Sequence, residues 1–68
     1  MKKIKIDTEY IKLDQLLKLA DIAQSGGHAK ILVLSGLVKV NGVIAKERGK
    51  KLREGDIVDC EGQEVQVI

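Results

Sequence analysis

Sixty-eight residues with a net charge of +2 and 44% apolar content make one small domain with no room for a second. A single Cys excludes an internal disulfide and a cysteine-based zinc site, and one Tyr with no Phe or Trp excludes an aromatic stacking platform. No apolar run reaches the length of a signal peptide or a membrane span, so the expectation is a soluble cytoplasmic monomer with no cofactor and no bound metal.

Charge is unevenly placed along the chain. Residues 1–53 hold all 12 Lys and Arg against five acids, whereas residues 54–68 hold the other five acids and no base. A fold that keeps this segregation in space presents one basic face to a polyanion and stays in solution by the other.

Lys2-Lys3-Ile4-Lys5-Ile6-Asp7 alternates polar with apolar and predicts a strand with Ile4 and Ile6 inward. Leu13, Leu16, Leu17 and Ala20 follow the spacing of an amphipathic helix, predicted over residues 12–20. Gln24-Ser25-Gly26-Gly27 interrupts that pattern, and Ser25 is a good N-cap for a second helix over 26–35. Ala29, Leu32 and Val33 face inward on it, Ile31 and Leu34 lie off that face, and Gly36 is a natural stop. Val38 and Val40 alternate with Lys39 in a strand. Asn41-Gly42 is a strong hairpin signal before the return strand Val43-Ile44-Ala45. A basic loop, Lys46 to Lys51, leads to a turn at Glu54-Gly55-Asp56 and the strand Ile57-Val58-Asp59-Cys60. Glu61-Gly62 turns the chain into the last strand, Glu64 to Ile68. The order β-α-α-β-β-β-β is an α+β fold, two packed helices against a small twisted, mostly antiparallel sheet, in one domain over residues 1–68.

Three features carry candidate chemistry. At the start of helix two, Ser25, Gly26, Gly27 and His28 combine a cap, bare amides and a helix dipole, which attract a phosphate. Lys30 and Lys39 point off the apolar sides of their elements. Lys46, Arg48, Lys50, Lys51 and Arg53 put five cations in eight residues, and phosphate neutralisation with counterion release is the favourable use of such a run. Lys12 adds a cation at the start of helix one.

The run Ser25 to Gly42, SGGHAKILVLSGLVKVNG, resembles the RNA-binding family first recognised in ribosomal protein S-four, the αL motif. The family pattern Ser-Arg-x-x-Ala-Arg-x-Leu-Ile-x-x-Gly-x-Val-x-Val-Asn-Gly finds Ser25, Ala29, Lys30, Leu32, Val33, Gly36, Val38, Lys39, Val40, Asn41 and Gly42 without gaps. Lys12-Leu13-Asp14-Gln15-Leu16-Leu17 is similar to the family's Arg-Leu-Asp-x-x-Leu opening, and Gly55-Asp56-Ile57-Val58 to its Gly-Asp-x-Ile segment. The variant with Ser-Gly-Gly-x-Ala-Lys resembles the stand-alone bacterial subgroup of the YaaA and YbcJ type. The resemblance implies that Lys30 and Lys39 belong to a basic surface that contacts RNA. Two family arginines are replaced here, by Gly26 and Leu34.

Tyr10 alone cannot build a base-stacking platform, so recognition by shape, phosphates and 2′-hydroxyls fits better, which points to a structured RNA such as ribosomal RNA. No small-molecule substrate and no enzymatic activity are expected. His28 is the only His, no catalytic triad or nucleotide-binding fingerprint is present, and Cys60 reads as a small buried strand residue. Two rivals share parts of this pattern. One is a protein-interaction adaptor using the acidic C-terminal strands with Ile31 and Leu34. The other is duplex DNA binding, which lacks a recognition helix rich in base-reading side chains.

Overall fold

The two helical stripes and the alternating valines assemble as their periods require. A computed structural model describes all 68 residues. The elements are β1 Lys2–Ile4, β2 Ile11–Lys12, α1 Leu13–Leu19, α2 Gly26–Leu34, β3 Val38–Val40, β4 Val43–Ile44, β5 Lys51–Leu52, β6 Ile57–Cys60 and β7 Gln63–Val67. A five-stranded sheet runs in the order β1-β7-β6-β3-β4, and β2 pairs with β5 in a separate two-stranded ribbon. Every pair is antiparallel except β1 with β7, so the α+β class with a mostly antiparallel sheet holds.

The register explains which side of the sheet the helices cover. Val65, Val58, Val40 and Val43 lie in one cross-strand row, and Val67, Cys60 and Val38 share their face by the two-residue period of strands. All of these except Val43, which stays exposed at the sheet edge, pack with Leu13, Leu16, Leu17, Ala29, Leu32 and Val33 in a single core. All 16 buried residues are apolar, and no charged or polar side chain is among them. Burial of each Leu or Val contributes roughly 1.5–3 kcal/mol. The core therefore draws on apolar contact alone and leaves every Lys and Arg at the surface or half-buried.

Local chemistry sets the ends of the helices. Gly36, at φ 74°, stops α2: its amide donates to the Val33 carbonyl and the Leu37 amide to that of Leu32, the paired bonds of a Schellman end. α1 closes the same way one residue after Ala20, with Asp21 at φ 59° in the position glycine usually takes. Lys2 from β1 reaches this end and donates from Nζ to the Ala20 carbonyl at 2.9 Å, a cation where the helix dipole favours one. Asn41 and Gly42, at φ 51° and 84°, form the expected two-residue hairpin between β3 and β4.

Several bounds differ from those the sequence suggests. β1 is bounded at Ile4 instead of Asp7, where its register with β7 ends, although Ile68 still accepts the Ile6 amide and donates to the Ile4 carbonyl, so the pairing runs on to Ile6. Lys12 is an extended N-cap outside α1, and residues 51–52 of the basic stretch form a strand. The ribbon of β2 and β5, Ile11 opposite Leu52 and Lys12 opposite Lys51, has too few residues for an alternation to show. It exists because pairing buries Leu52 and half-buries Ile11 beneath the helices.

Candidate nucleic-acid interface

The amino end of α1 is built by a distant part of the chain. Lys12 makes no side-chain cap there. Instead the Leu13 amide donates to the Lys50 carbonyl at 2.8 Å and the Asp14 amide to the Arg48 carbonyl at 2.9 Å. Asp14 Oδ1 accepts the third amide, from Gln15, at 2.8 Å. The first turn of α1 is thus satisfied internally, and the backbone of the basic loop is strapped across it. Residues 48 and 50 cannot drift from this end without uncapping the helix.

The same strap brings like charges together. Lys12 and Lys51 are direct cross-strand partners and both are exposed, whereas Ile11 and Leu52 turn inward. Like charges directly opposite in an antiparallel pair destabilise it, and a cation at a helix amino end opposes the dipole. Lys12 breaks both rules at once. Tyr10 partly compensates, with its ring centroid 4.8 Å from Lys51 Nζ, a cation–π contact that fixes where this ammonium sits.

Next to the strap, Asn41 and Asp56 clamp the hairpin to the start of β6. Asn41 Nδ2 donates to Asp56 Oδ1 at 3.1 Å, and the Ile57 amide donates to Asn41 Oδ1 at 2.9 Å. Asp56 Oδ2 accepts the Arg53 amide at 2.8 Å. That amide holds the Asp56 carboxyl below its ordinary value of 3.8; partial burial opposes it, while the Asn41 amide and the charges of Lys50 and Arg53 add to the lowering. Lys50 and Arg53 therefore stand close to the clamp.

The amino end of α2 has a different construction. Ser25 Oγ accepts the His28 amide at 3.0 Å, and His28 Nδ1 accepts the Gln24 amide at 3.1 Å, so the ring's Nε2 is left as a donor. The hydrogen bonds at this end include none from the Gly26 or Gly27 amide. A Cβ at Gly26 would meet nothing within 4 Å, so packing does not require glycine there.

This arrangement of two helices, a basic strap and an Asn-Gly hairpin has counterparts among known proteins. The S4 domain family matches residues 4–68. The chain belongs to that family. Over 59 residues, 87% of its length, it is 52% identical to RlbA of Bacillus subtilis (strain 168), named as a probable ribosome maturation protein, and spans 83% of it. It is 37% identical over 59 residues to YbcJ of Escherichia coli (strain K12), covering 84% of that protein. The solution structure of YbcJ from E. coli, described as revealing an αL motif involved in RNA-binding, superposes with a TM-score of 0.77 at 33% identity, covering all of this chain and 87% of the other.

Within this S4 domain, strand pairing and the backbone strap place Lys12, Arg48, Lys50 and Lys51 at the amino end of α1, and Arg53 stands beside the Asp56 clamp. Gly26, Gly27, His28 and Lys30 sit instead at the start of α2, beyond the carboxyl end of α1; α1 is 7 residues and so roughly 10 Å long. Lys39 is not part of either group. Val38 and Val40 on the same strand face the helices, so Lys39 projects from the opposite side of the sheet, between Asp59 on β6 and Ile44 on β4. Lys46 is exposed at the head of the strap. Tyr10, Asn41 and Asp56 are positioning residues of this surface that charge patterning does not reveal. Tyr10 had a signal, as the sole aromatic two residues before Lys12.

The rival adaptor surface is divided by the fold. Ile31 and Leu34 are 63% and 67% exposed on the outward side of α2, whereas Asp59 and Glu64 lie in one cross-strand row on the far face of the sheet.

Proposed function

We propose that this chain is a non-enzymatic, stand-alone RNA-binding module for structured RNA, with ribosomal RNA or a maturing ribosomal particle in the cytoplasm as its partner. The observation that carries the reading is the Lys12–Lys51 pair. Two ammonium groups are held opposite each other by strand pairing, at a helix end that disfavours them, with Arg48 and Lys50 strapped alongside. The fold gains nothing from this clustering; a polyanion does. Two further supports are the family and the words attached to its members, ribosome maturation for RlbA and RNA-binding for the αL motif of YbcJ.

In this reading Lys12, Arg48, Lys50, Lys51 and Arg53 contact one stretch of phosphates. Gly26, Gly27 and His28, with Ser25 as their cap, hold another phosphate at the start of α2, and Lys30 adds to that end. Lys39 and Lys46 serve as outlying contacts. With no aromatic stacking platform, the module reads backbone geometry and 2′-hydroxyls, so RNA duplexes bind more tightly than DNA duplexes of the same sequence.

The test is a salt titration of binding to a ribosomal RNA fragment and to the matched DNA duplex. The proposal expects preference for RNA and an affinity that falls linearly with the logarithm of salt concentration. Equal binding of DNA would favour the duplex DNA reading. A partner retained after nuclease treatment at high salt would favour the adaptor reading, which keeps the exposure of Ile31 and Leu34 on its side.

A further inference from the structure

The strap and the β3–β4 hairpin enclose a groove of about 490 Å³, a size typical of small-ligand sites. The geometry points to this groove as a pocket for one unpaired nucleotide of the bound RNA, with a base that carries an exocyclic amino group. The inference rests on the RNA-binding reading above.

The floor of the groove is apolar. Val43 and Ile44, on the edge strand β4, line it and are 70% and 49% exposed, which leaves apolar surface open to a ligand. Lys46 and Lys50 lie on the rim and suit the phosphates on either side of a base. Lys50 also belongs to the strap whose carbonyl caps α1, so the groove is continuous with the cluster around Lys12 and Lys51. One carboxylate, Glu47, lines the same groove and would repel a plain phosphate site. A carboxylate is the side chain that accepts from a base amino group, as at cytosine N4.

The wall opposite the strap is fixed. Asn41 uses its amide nitrogen on Asp56 and its amide oxygen on the Ile57 backbone, so it shapes the groove and does not swing in to read the base. A paired base is shielded by stacking and cannot lie on Val43 and Ile44, whereas a bulged one can be turned out onto them.

The experiment compares three RNA hairpins with one common stem: fully paired, with a single bulged cytidine, and with a single bulged uridine. Wild-type protein is expected to bind the cytidine bulge about tenfold more tightly than the paired stem, with uridine between them. Replacing the exposed pair, Val43→Ser with Ile44→Ser, is expected to abolish the preference and leave affinity for the paired stem within about twofold. Addition of cytidine 5′-monophosphate is expected to shift the backbone amide resonances of residues 43–47 in the wild type. Equal binding of all three hairpins, or a preference that survives the double substitution, overturns the pocket alone. Failure to bind any of the three overturns the RNA-binding reading itself.

Discussion

The two helices begin in opposite ways. At α1 each of the first three amides has an acceptor within the protein, two of them carbonyls from the basic strap. At α2 one serine side chain satisfies the third amide, and the first two belong to glycines, with open space beside Gly26. One end is saturated and ringed by cations, and the other is bare with one cation a turn further on. The difference teaches that an anion-binding surface can be made in two ways: by side-chain charge held on a capped scaffold, or by uncapped backbone and the helix dipole. On the proposed reading the first is the stronger in this protein, because tertiary bonds hold the backbone that carries its charges.

Removing that charge is the largest way to break the comparison. Joint replacement of Lys12, Lys50 and Lys51 by Ala is expected to lower the salt dependence of RNA binding by about three units and the affinity by about 100-fold. Folding should be retained, since the caps on α1 use the Lys50 and Arg48 carbonyls, which the substitutions keep. Larger losses from Gly26 and Gly27 variants would reverse the ranking of the two ends.

The clamp that holds the strap beside the hairpin gives the next effect, on stability. A carboxyl whose folded value lies below its unfolded one contributes stability that is complete above the unfolded value and disappears as pH falls through the folded value. For Asp56 that loss begins as pH drops below about 3.8 and continues beneath it. Asp56→Asn, which removes the charge that accepts the Arg53 amide, is expected to cost about 1–2 kcal/mol at neutral pH and to flatten the acid limb of a stability–pH curve. An unchanged acid limb would place the titrating group elsewhere.

Much of this difference between the helix ends is legible in the sequence alone, and some is not. Ser25 as the cap of α2, the glycine stop at Gly36 and the Asn41-Gly42 hairpin each follow from one residue's local chemistry, so the sequence declares them. The capping of α1 by Arg48 and Lys50 uses backbone carbonyls, which every residue has, so no side chain announces it. The β2–β5 ribbon is two residues long and exists through tertiary pairing, which hides the Lys12–Lys51 opposition. The location of Lys39 is a separate lesson. Alternation with Val38 and Val40 requires it to leave the helix-covered face, so its separation from the start of α2 follows from the same pattern that marked it as exposed.

Smaller changes sharpen the account at the bare end. Ser25→Ala is expected to cost about 1 kcal/mol of stability by freeing the His28 amide, with a thermal midpoint lowered to match. Gly26→Arg, which supplies the arginine of the family pattern where there is room for it, is expected to raise RNA affinity a few-fold and the salt dependence by about one unit. No gain in affinity would mean that α2 does not present its amino end to the RNA.

The most direct test is Lys12→Glu, measured for stability and for RNA binding on the same sample. It converts the like-charge pair with Lys51 into an opposite-charge pair and puts a negative charge at the start of α1. The account predicts a gain of about 0.5–1 kcal/mol in unfolding free energy together with weaker RNA binding and a salt dependence lowered by about one to two units. A variant that loses stability, or one that binds RNA as tightly as before, would contradict it.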